Sequence, residues 1–501
     1  MEDLKRLVSI ITKRKQRQYP LLELKSINEN SSKENIFFRY IKKGVANTDD
    51  DASKLIYGTE SDDDRFRMLK SRLKQKLLNH LFFLDFTENN QRVANQYEQE
   101  CVQHLHQARM LMFTDEIKIA KSLVLKALTT AERCEFTKYI IDSLEELVRI
   151  YSDNCQPHLF DDVVKRLEGA RELKTKEDAA SEHYFFIKMM IVKSVNSRKK
   201  NLESATKSIS YLQKLWLETK SYNVFQYLLS LTLLHKQLIG DFAGIIPILQ
   251  EVEAGKFQKI KLNKNRLEMG HIISSMAFAY FRAKDFESGI QYMDKNKEFF
   301  DPASQEWFDF FHVYFLAAVY SKNYTAAFEI IDSVFDNKYF EKLPEETTDK
   351  WKLYNAYIHL VHSGSYYLKN NYENILESLP EYHKDKEGFN VAVLFLQVLY
   401  FVEQREIDKI MDCRNELKKY MANHFKENFS YRSRTFFKLI NIVVENELNF
   451  KQVQLKSRYL VKKLSENQIV GNAYTELEIV PYEHLWDLLF SKLKYHEVRS
   501  F

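Results

Sequence analysis

The stretch MGHIISSMAFAYFRAKDFESGIQYMDKNKEFFDP, residues 269–302, decides the fold. Helical apolar patterns flank the break Lys284-Asp285-Phe286. Three further breaks repeat the arrangement: Gly240-Asp241-Phe242, Lys322-Asn323-Tyr324 and Asn370-Asn371-Tyr372. In each, the Asp or Asn side chain can accept hydrogen bonds from the open first turn of the next helix, and the aromatic can wedge between the paired helices. Successive aromatics lie 44, 38 and 48 residues apart, the period of a two-helix repeat with long arms. Weaker copies run from Ala108 to Glu135 and from Tyr139 to Leu173. This pattern predicts antiparallel helix pairs stacked in order from about residue 95 to 425, with Asp241, Asp285, Asn323 and Asn371 within two residues of a helix start.

Composition points the same way. The chain has 501 residues, too many for one hydrophobic core, so several domains or a stack of repeats are required. Glycine (11) and proline (7) are scarce, which disfavours sheet folds built on tight turns and leaves an all-α chain. The 36 Phe and 29 Tyr suit large side chains buried between helices. A net charge of +4 is too small to imply a nucleic-acid or membrane coat. The longest near-apolar run, Val391 to Val402, is too short to span a bilayer, so no membrane partner is expected. Cys101, Cys134, Cys155 and Cys413 are widely spaced, as befits thiols in a reducing compartment. Leu7 to Ile11 is too short for the apolar core of an export signal, so a cytoplasmic location is expected.

On Ala277, Tyr280, Asp285-Phe286, Gly289 and the closing Pro302, the 269–302 stretch resembles a tetratricopeptide repeat. The likeness extends more loosely over about two thirds of the chain, where Ala327 but also Ile245 and Ile375 occupy the Gly289 position and Pro247 interrupts an early helical turn. It implies a right-handed α-solenoid whose first helices line a groove for a protein or peptide partner. Carried onto this repeat, the groove would be faced by His271, Ser274, Phe278 and Phe281. Phe278 and Phe281 equally suit packing against a neighbouring helix. Residues 431–501 would close the stack, with one long helical pattern from Tyr431 to Leu464 and another opening after Pro481.

The first 90 residues differ in texture, with a basic start and acidic clusters at Asp49-Asp50-Asp51 and Asp62-Asp63-Asp64. Within DRFRMLKSRLKQKLLNHLFF, residues 64–83, Phe66, Leu69, Leu73 and Leu77 form one helical stripe. Arg65, Arg72 and Lys76 flank it on one side and Arg67, Lys70 and Lys74 on the other. With Lys54-Leu55-Ile56-Tyr57-Gly58 before it, this segment resembles the end of the winged-helix module that is fused to tetratricopeptide arrays in bacterial transcription activators. That likeness implies a helix for the major groove of DNA, contacted through those six cations. The segment departs from the pattern where the wing should follow, since no glycine appears between Gly58 and Gly169. The bland alternative is a solvated helix whose Lys and Arg stems cover the flanks of an apolar face, or which docks on an acidic protein.

No phosphate-cradling glycine loop and no nucleophile elbow is present, so no cofactor and no catalytic residue is assigned. His496-Glu497 lacks the second histidine of a zincin. His104 and His106, near Cys101, point about 160° apart on a helix. His359 and His362 share a face but need a third ligand, and no metal site is assigned. The sequence therefore reads as an N-terminal helical module (1–90), a tetratricopeptide-like α-solenoid (91–430) and capping helices (431–501). Its expected function is that of a non-catalytic interaction scaffold, the alternative being a transcription regulator that binds DNA through residues 65–76.

Overall fold

Helices dominate because long amphipathic runs alternate with short polar breaks, and the breaks are built on a common geometry. The structure is a computed structural model describing residues 33–58, 63–81, 93–113, 115–192, 195–362, 387–424, 431–466 and 478–499. Among these the chain is all-helical apart from one small hairpin. It divides into two compact units, Met1–Arg171 and Glu172–Phe501, a division that falls inside the 91–430 segment.

The first unit opens with α1 (Lys33–Lys42), α2 (Asp49–Tyr57) and α3 (Asp64–Leu81). The acidic run Asp49–Asp51 is the first turn of α2, where the helix dipole favours carboxylates. Thr48 Oγ1 accepts from the Asp51 N–H at 3.1 Å while Asp51 Oδ2 accepts from the Thr48 N–H at 3.0 Å, a reciprocal cap. Gly58, at φ +70°, ends the helix in the left-handed region. Phe66, Leu69, Leu73 and Leu77 are buried against Phe37, Ile41 and Ala52, as the predicted stripe requires. Next come α4 (Val93–Met112), α5 (Ile117–Arg133), α6 (Thr137–Asp153) and the beginning of α7 (Pro157–Val192), which share a core of Ala108, Val124, Leu128, Leu147, Ile150 and Leu167.

The second unit takes in the rest of α7, then α8 (Val195–Thr219), α9 (Tyr222–Ile239), α10 (Ile246–Glu253), a hairpin of β1 (Lys256–Phe257) with β2 (Ile260–Lys261), α11 (Met269–Ala283), α12 (Phe286–Asn296), α13 (Gln305–Tyr320), α14 (Tyr324–Phe335), α15 (Glu345–His362), α16 (Glu387–Gln404), α17 (Ile407–His424), α18 (Tyr431–Glu445), α19 (Phe450–Glu466) and α20 (Tyr482–Arg499). The hairpin is antiparallel, pairs Phe257 with Ile260, and inserts the buried Phe257 ring beside Trp216 and Phe225. It lengthens the arm between Phe242 and Phe286, an element the all-α reading leaves out. The apolar run Val391 to Val402 lies within α16 and is buried except at Gln397.

At the breaks, one residue in the left-handed region turns the chain and the next begins a new helix. Lys284 (φ +63°) precedes Asp285, whose N–H reaches back to the Tyr280 carbonyl at 3.1 Å and whose side chain accepts from the Ser288 N–H at 3.3 Å. Lys322 (φ +62°) precedes Asn323, with the matching bonds to the Ala318 carbonyl (2.9 Å) and from the Ala326 N–H (3.2 Å). Glu135 and Cys155 occupy the same conformation upstream, which is how so glycine-poor a chain turns so often.

Three expectations are corrected. Asp241 does not cap α10: its Oδ1 accepts from the Gly244 N–H at 2.9 Å and its Oδ2 from Lys236 Nζ at 2.6 Å, closing a turn before the helix begins at Ile246. Pro247 then sits in the first turn of α10, where its missing N–H costs nothing, rather than interrupting a helix. The single pattern from Tyr431 to Leu464 is two helices, because Glu447 (φ +49°) and Leu448 (φ +62°) reverse the chain. Asn449 caps the second by accepting from the Gln452 N–H at 3.1 Å, a further copy of the Asn-aromatic break. Asn371 lies outside the described residues.

Because a side chain in the left-handed region carries a steric penalty that glycine escapes, Lys284→Gly is expected to raise stability by about 0.5 to 1 kcal/mol. Lys284→Val, β-branched at positive φ, should lower it. Urea midpoints of the two variants check both signs.

Candidate interaction surface and buried polar clusters

Helix α11 is wrapped by core on several sides. Ile273 and Ala277 belong to the main core, Ile272 to the cluster around Trp216, and Met276, Ala279 and Tyr280 to a third cluster with Phe242 and Leu249. The stripe His271, Ser274, Phe278 and Phe281 is the less buried side, with His271 exposed and the others half-buried. The Phe278 ring meets Phe242 edge-on at 6.0 Å, and the Arg282 guanidinium lies over both rings. Phe281 packs between Phe286 (6.0 Å) and Tyr320 (5.2 Å). The stripe thus offers a hydroxyl and an imidazole for backbone hydrogen bonds, bordered by ring edges already engaged with adjacent elements.

The basic helix α3 keeps its cations near carboxylates of its own module. Lys70 Nζ bonds Asp49 Oδ2 at 2.7 Å, Arg65 makes a paired contact with Asp63 and lies over Tyr57, and Arg67 sits 3.4 Å from Asp64. Lys76 lies 4.0 Å from Glu34, and Arg72 and Lys74 are exposed. Among residues 33–81 that are described, helices and turns flank α3 and no strand does.

Two of the candidate ligand side chains, Cys101 and His359, are buried. The Cys101 thiol is pushed up to about 12 by burial and by its neighbour Cys134, so it is not a nucleophile at neutral pH. Burial holds His104 below its usual range, and His106 is exposed. His359 is buried with its ring edge-on to Phe328 at 4.9 Å; the His362 and His496 side chains lie outside the described residues. Among the described residues, no group of three or more His, Cys, Asp or Glu is placed to hold a metal ion.

Two buried polar clusters in the second unit escape the sequence reading altogether. In the first, Lys350 Nζ approaches His312 Nδ1 at 3.5 Å and the other ring nitrogen contacts Tyr354 Oη at 2.8 Å. An ammonium can only donate, so a hydrogen bond from Lys350 to Nδ1 requires the tautomer with its proton on Nε2, which then donates to Tyr354. Burial, aided by Lys350, holds His312 well below its ordinary range, and burial also lowers Lys350. The second joins distant segments. Arg432 bonds both oxygens of Glu478 (2.7 and 3.0 Å), both of Glu483 (2.6 and 2.9 Å) and the Leu464 carbonyl (2.9 Å). Nearby, Tyr320 Oη donates to the Glu478 carbonyl at 2.8 Å and Tyr324 Oη contacts His484 Nδ1 at 3.1 Å. Residues 478–499 therefore fold back onto the α13–α14 turn instead of touching only their sequence neighbours.

Burial, with Lys322 nearby, lowers His484 to about 4, so it too is neutral in the fold. A histidine that binds its proton more weakly when folded leaves stability intact above the unfolded pKa near 6.5 and drains it as pH falls from there toward 4. Discounted for the water at its half-exposed edge, His484 should account for about 1 kcal/mol lost between pH 7 and pH 5, with His312 acting in the same direction. Thermal melts of His484→Gln against the parent at the two pH values check this; the variant should lose less.

No described helix is long and apolar enough to cross a membrane. Comparison with protein-family models, with curated proteins and with solved structures finds no match to this chain, so its reading rests on its own residues and their geometry.

Proposed function

We propose that this chain is a non-catalytic interaction scaffold of the cytoplasm, a tetratricopeptide-like α-solenoid that receives a protein or peptide segment along its first helices. The observation that carries the reading is the recurring break, in which a left-handed residue, an Asp or Asn cap and an aromatic join one packed helix to the next at Lys284-Asp285-Phe286 and Lys322-Asn323-Tyr324. Repeats of this kind expose a stripe of each first helix, and on α11 that stripe is His271, Ser274, Phe278 and Phe281. The fold-back of residues 478–499 onto the α13–α14 turn fits a closing element, since terminal repeats must cover an apolar face.

The test is affinity capture with the full chain, followed by mass spectrometry. A specific partner should be recovered and then lost with His271→Glu/Ser274→Arg, two changes outside the core; retention by that variant would remove the groove from the proposal. The regulator reading competes through α3, but the contacts of Arg65, Lys70 and Lys76 with Asp63, Asp49 and Glu34 reduce the positive potential a phosphate would meet. Duplex DNA binding is therefore expected to stay negligible at near-physiological salt. Sub-micromolar affinity falling by about 0.9 in log K per phosphate for each tenfold rise in salt, flattened by Lys70→Ala/Lys74→Ala, would reverse that ranking.

A further inference from the structure

Helix α19 is anchored from one side and basic on the other. Val453, Ser457 and Leu464 are buried, and Leu460 and Val461 pack against the main core. The opposite face carries Leu455 and Tyr459, 61% and 69% exposed, one helical turn apart. Around them the helix places Lys451, Lys456, Arg458, Lys462 and Lys463 against the single carboxylate Glu466. Lys456 Nζ reaches Asn446 Oδ1 at 2.6 Å and Lys462 lies 3.8 Å from Glu466. Lys463 lies over the rings of Tyr459 and Tyr431, bringing the exposed start of α18 to the same surface. Leu455 and Tyr459 are left uncovered by their own unit, so this face presents apolar side chains and cations together to solvent.

We infer that this face of α19 docks an acidic, amphipathic segment of a partner protein, whose carboxylates meet the lysines and whose apolar side chains cover Leu455 and Tyr459. The surface is separate from the α11 stripe. Charge complementarity selects an anionic occupant, and the exposed aliphatic Leu455 selects one that also brings apolar side chains, a protein segment rather than a phosphate backbone. The chain as a whole carries only +4. A membrane would need a broad apolar face turned outward, and here that face is turned into the core.

Fluorescence anisotropy with the full chain tests the inference. The probe is a labelled peptide of about 16 residues, rich in Glu with Leu or Phe at every third or fourth position so that one helical face is apolar. The peptide should bind with an affinity that falls about tenfold between low and high salt. Lys456→Glu/Lys462→Glu should weaken it tenfold or more, and Leu455→Ser/Tyr459→Ser threefold or more; all four side chains are exposed, so circular dichroism and the melting temperature should match the parent. Polyglutamate of equal length should bind more weakly than the amphipathic peptide, and His271→Glu/Ser274→Arg should change nothing. No measurable binding, binding indifferent to both double variants, or tighter binding to oligothymidylate or phosphatidylserine vesicles than to the peptide would overturn it.

Discussion

Arg432→Ala is expected to destabilise the second unit by about 3 to 5 kcal/mol, the loss typical of removing one partner from a buried ion pair. The guanidinium is 7% exposed and every one of its N–H directions ends on an acceptor, two on Glu478, two on Glu483 and one on the Leu464 carbonyl. Burial opposes its charge, yet the hydrogen bonds and charges of the two carboxylates outweigh it and hold the group firmly protonated. Removing it strands Glu478, whose carboxyl burial already pushes up against the pull of Arg432. That gives the variant a signature a merely looser core would not have. Its deficit should shrink as pH falls and Glu478 takes a proton, and Arg432→Met/Glu478→Gln should recover part of the loss, because no uncompensated charge is left behind. Urea unfolding of the full chain, followed by tryptophan fluorescence at pH 5 and pH 8, measures both effects. A deficit under about 1 kcal/mol at pH 8, or one independent of pH, would mean that the cluster is hydrated and not a closing element.

What the sequence made legible was local. Asp285 and Asn323 were recognisable as caps because the bond they make spans three residues and depends on nothing distant. Asp241 belongs to the same pattern by composition, but Gly244 and Pro247 supply a turn and a preferred first-turn residue that move the helix start to Ile246. The break before Asn449 escaped notice because Glu447 and Leu448 are ordinary helix residues that reverse the chain without a glycine. The stripe on α3 could be read off a helical wheel, whereas the contacts of Lys70 with Asp49 and of Lys76 with Glu34 depend on how three helices pack. Arg432 lay beyond reach for the same reason, since its carboxylates are 46 and 51 residues away. On α19 the charge pattern was visible in the sequence, but which side faced water was not until Val453 and Leu464 were seen to be buried.

Gly289→Leu tests the packing on which the helix-pair reading stands, and it should destabilise the second unit by about 1 to 3 kcal/mol. Gly289 is buried on α12 with φ in the ordinary helical range, so its value lies in the space it leaves rather than in backbone freedom. A Cβ at that position would come 2.9 Å from Tyr280 Cβ, closer than two such carbons approach, and the atoms it meets belong to the root of the tyrosine side chain, which cannot swing away without moving α11. Tyr280 is itself pinned, with its ring 5.7 Å from Tyr292 and its hydroxyl accepting from Gln250 Nε2 at 3.3 Å. Leucine would therefore force α11 and α12 apart, and Ala277 and Met293, both in the main core, would lose contacts with them. Gly289→Ala separates the two opposing effects of any substitution here. A helical Gly→Ala change alone should stabilise by up to about 1 kcal/mol, so a net loss with alanine isolates the steric term. Relief of that loss by Tyr280→Ala in the same chain, relative to Tyr280→Ala alone, would place the clash at this contact, as a double-mutant cycle can. If Gly289→Leu leaves the unfolding midpoint where it was, the two helices do not meet at Gly289 and the repeat register drawn from residues 269–302 is wrong.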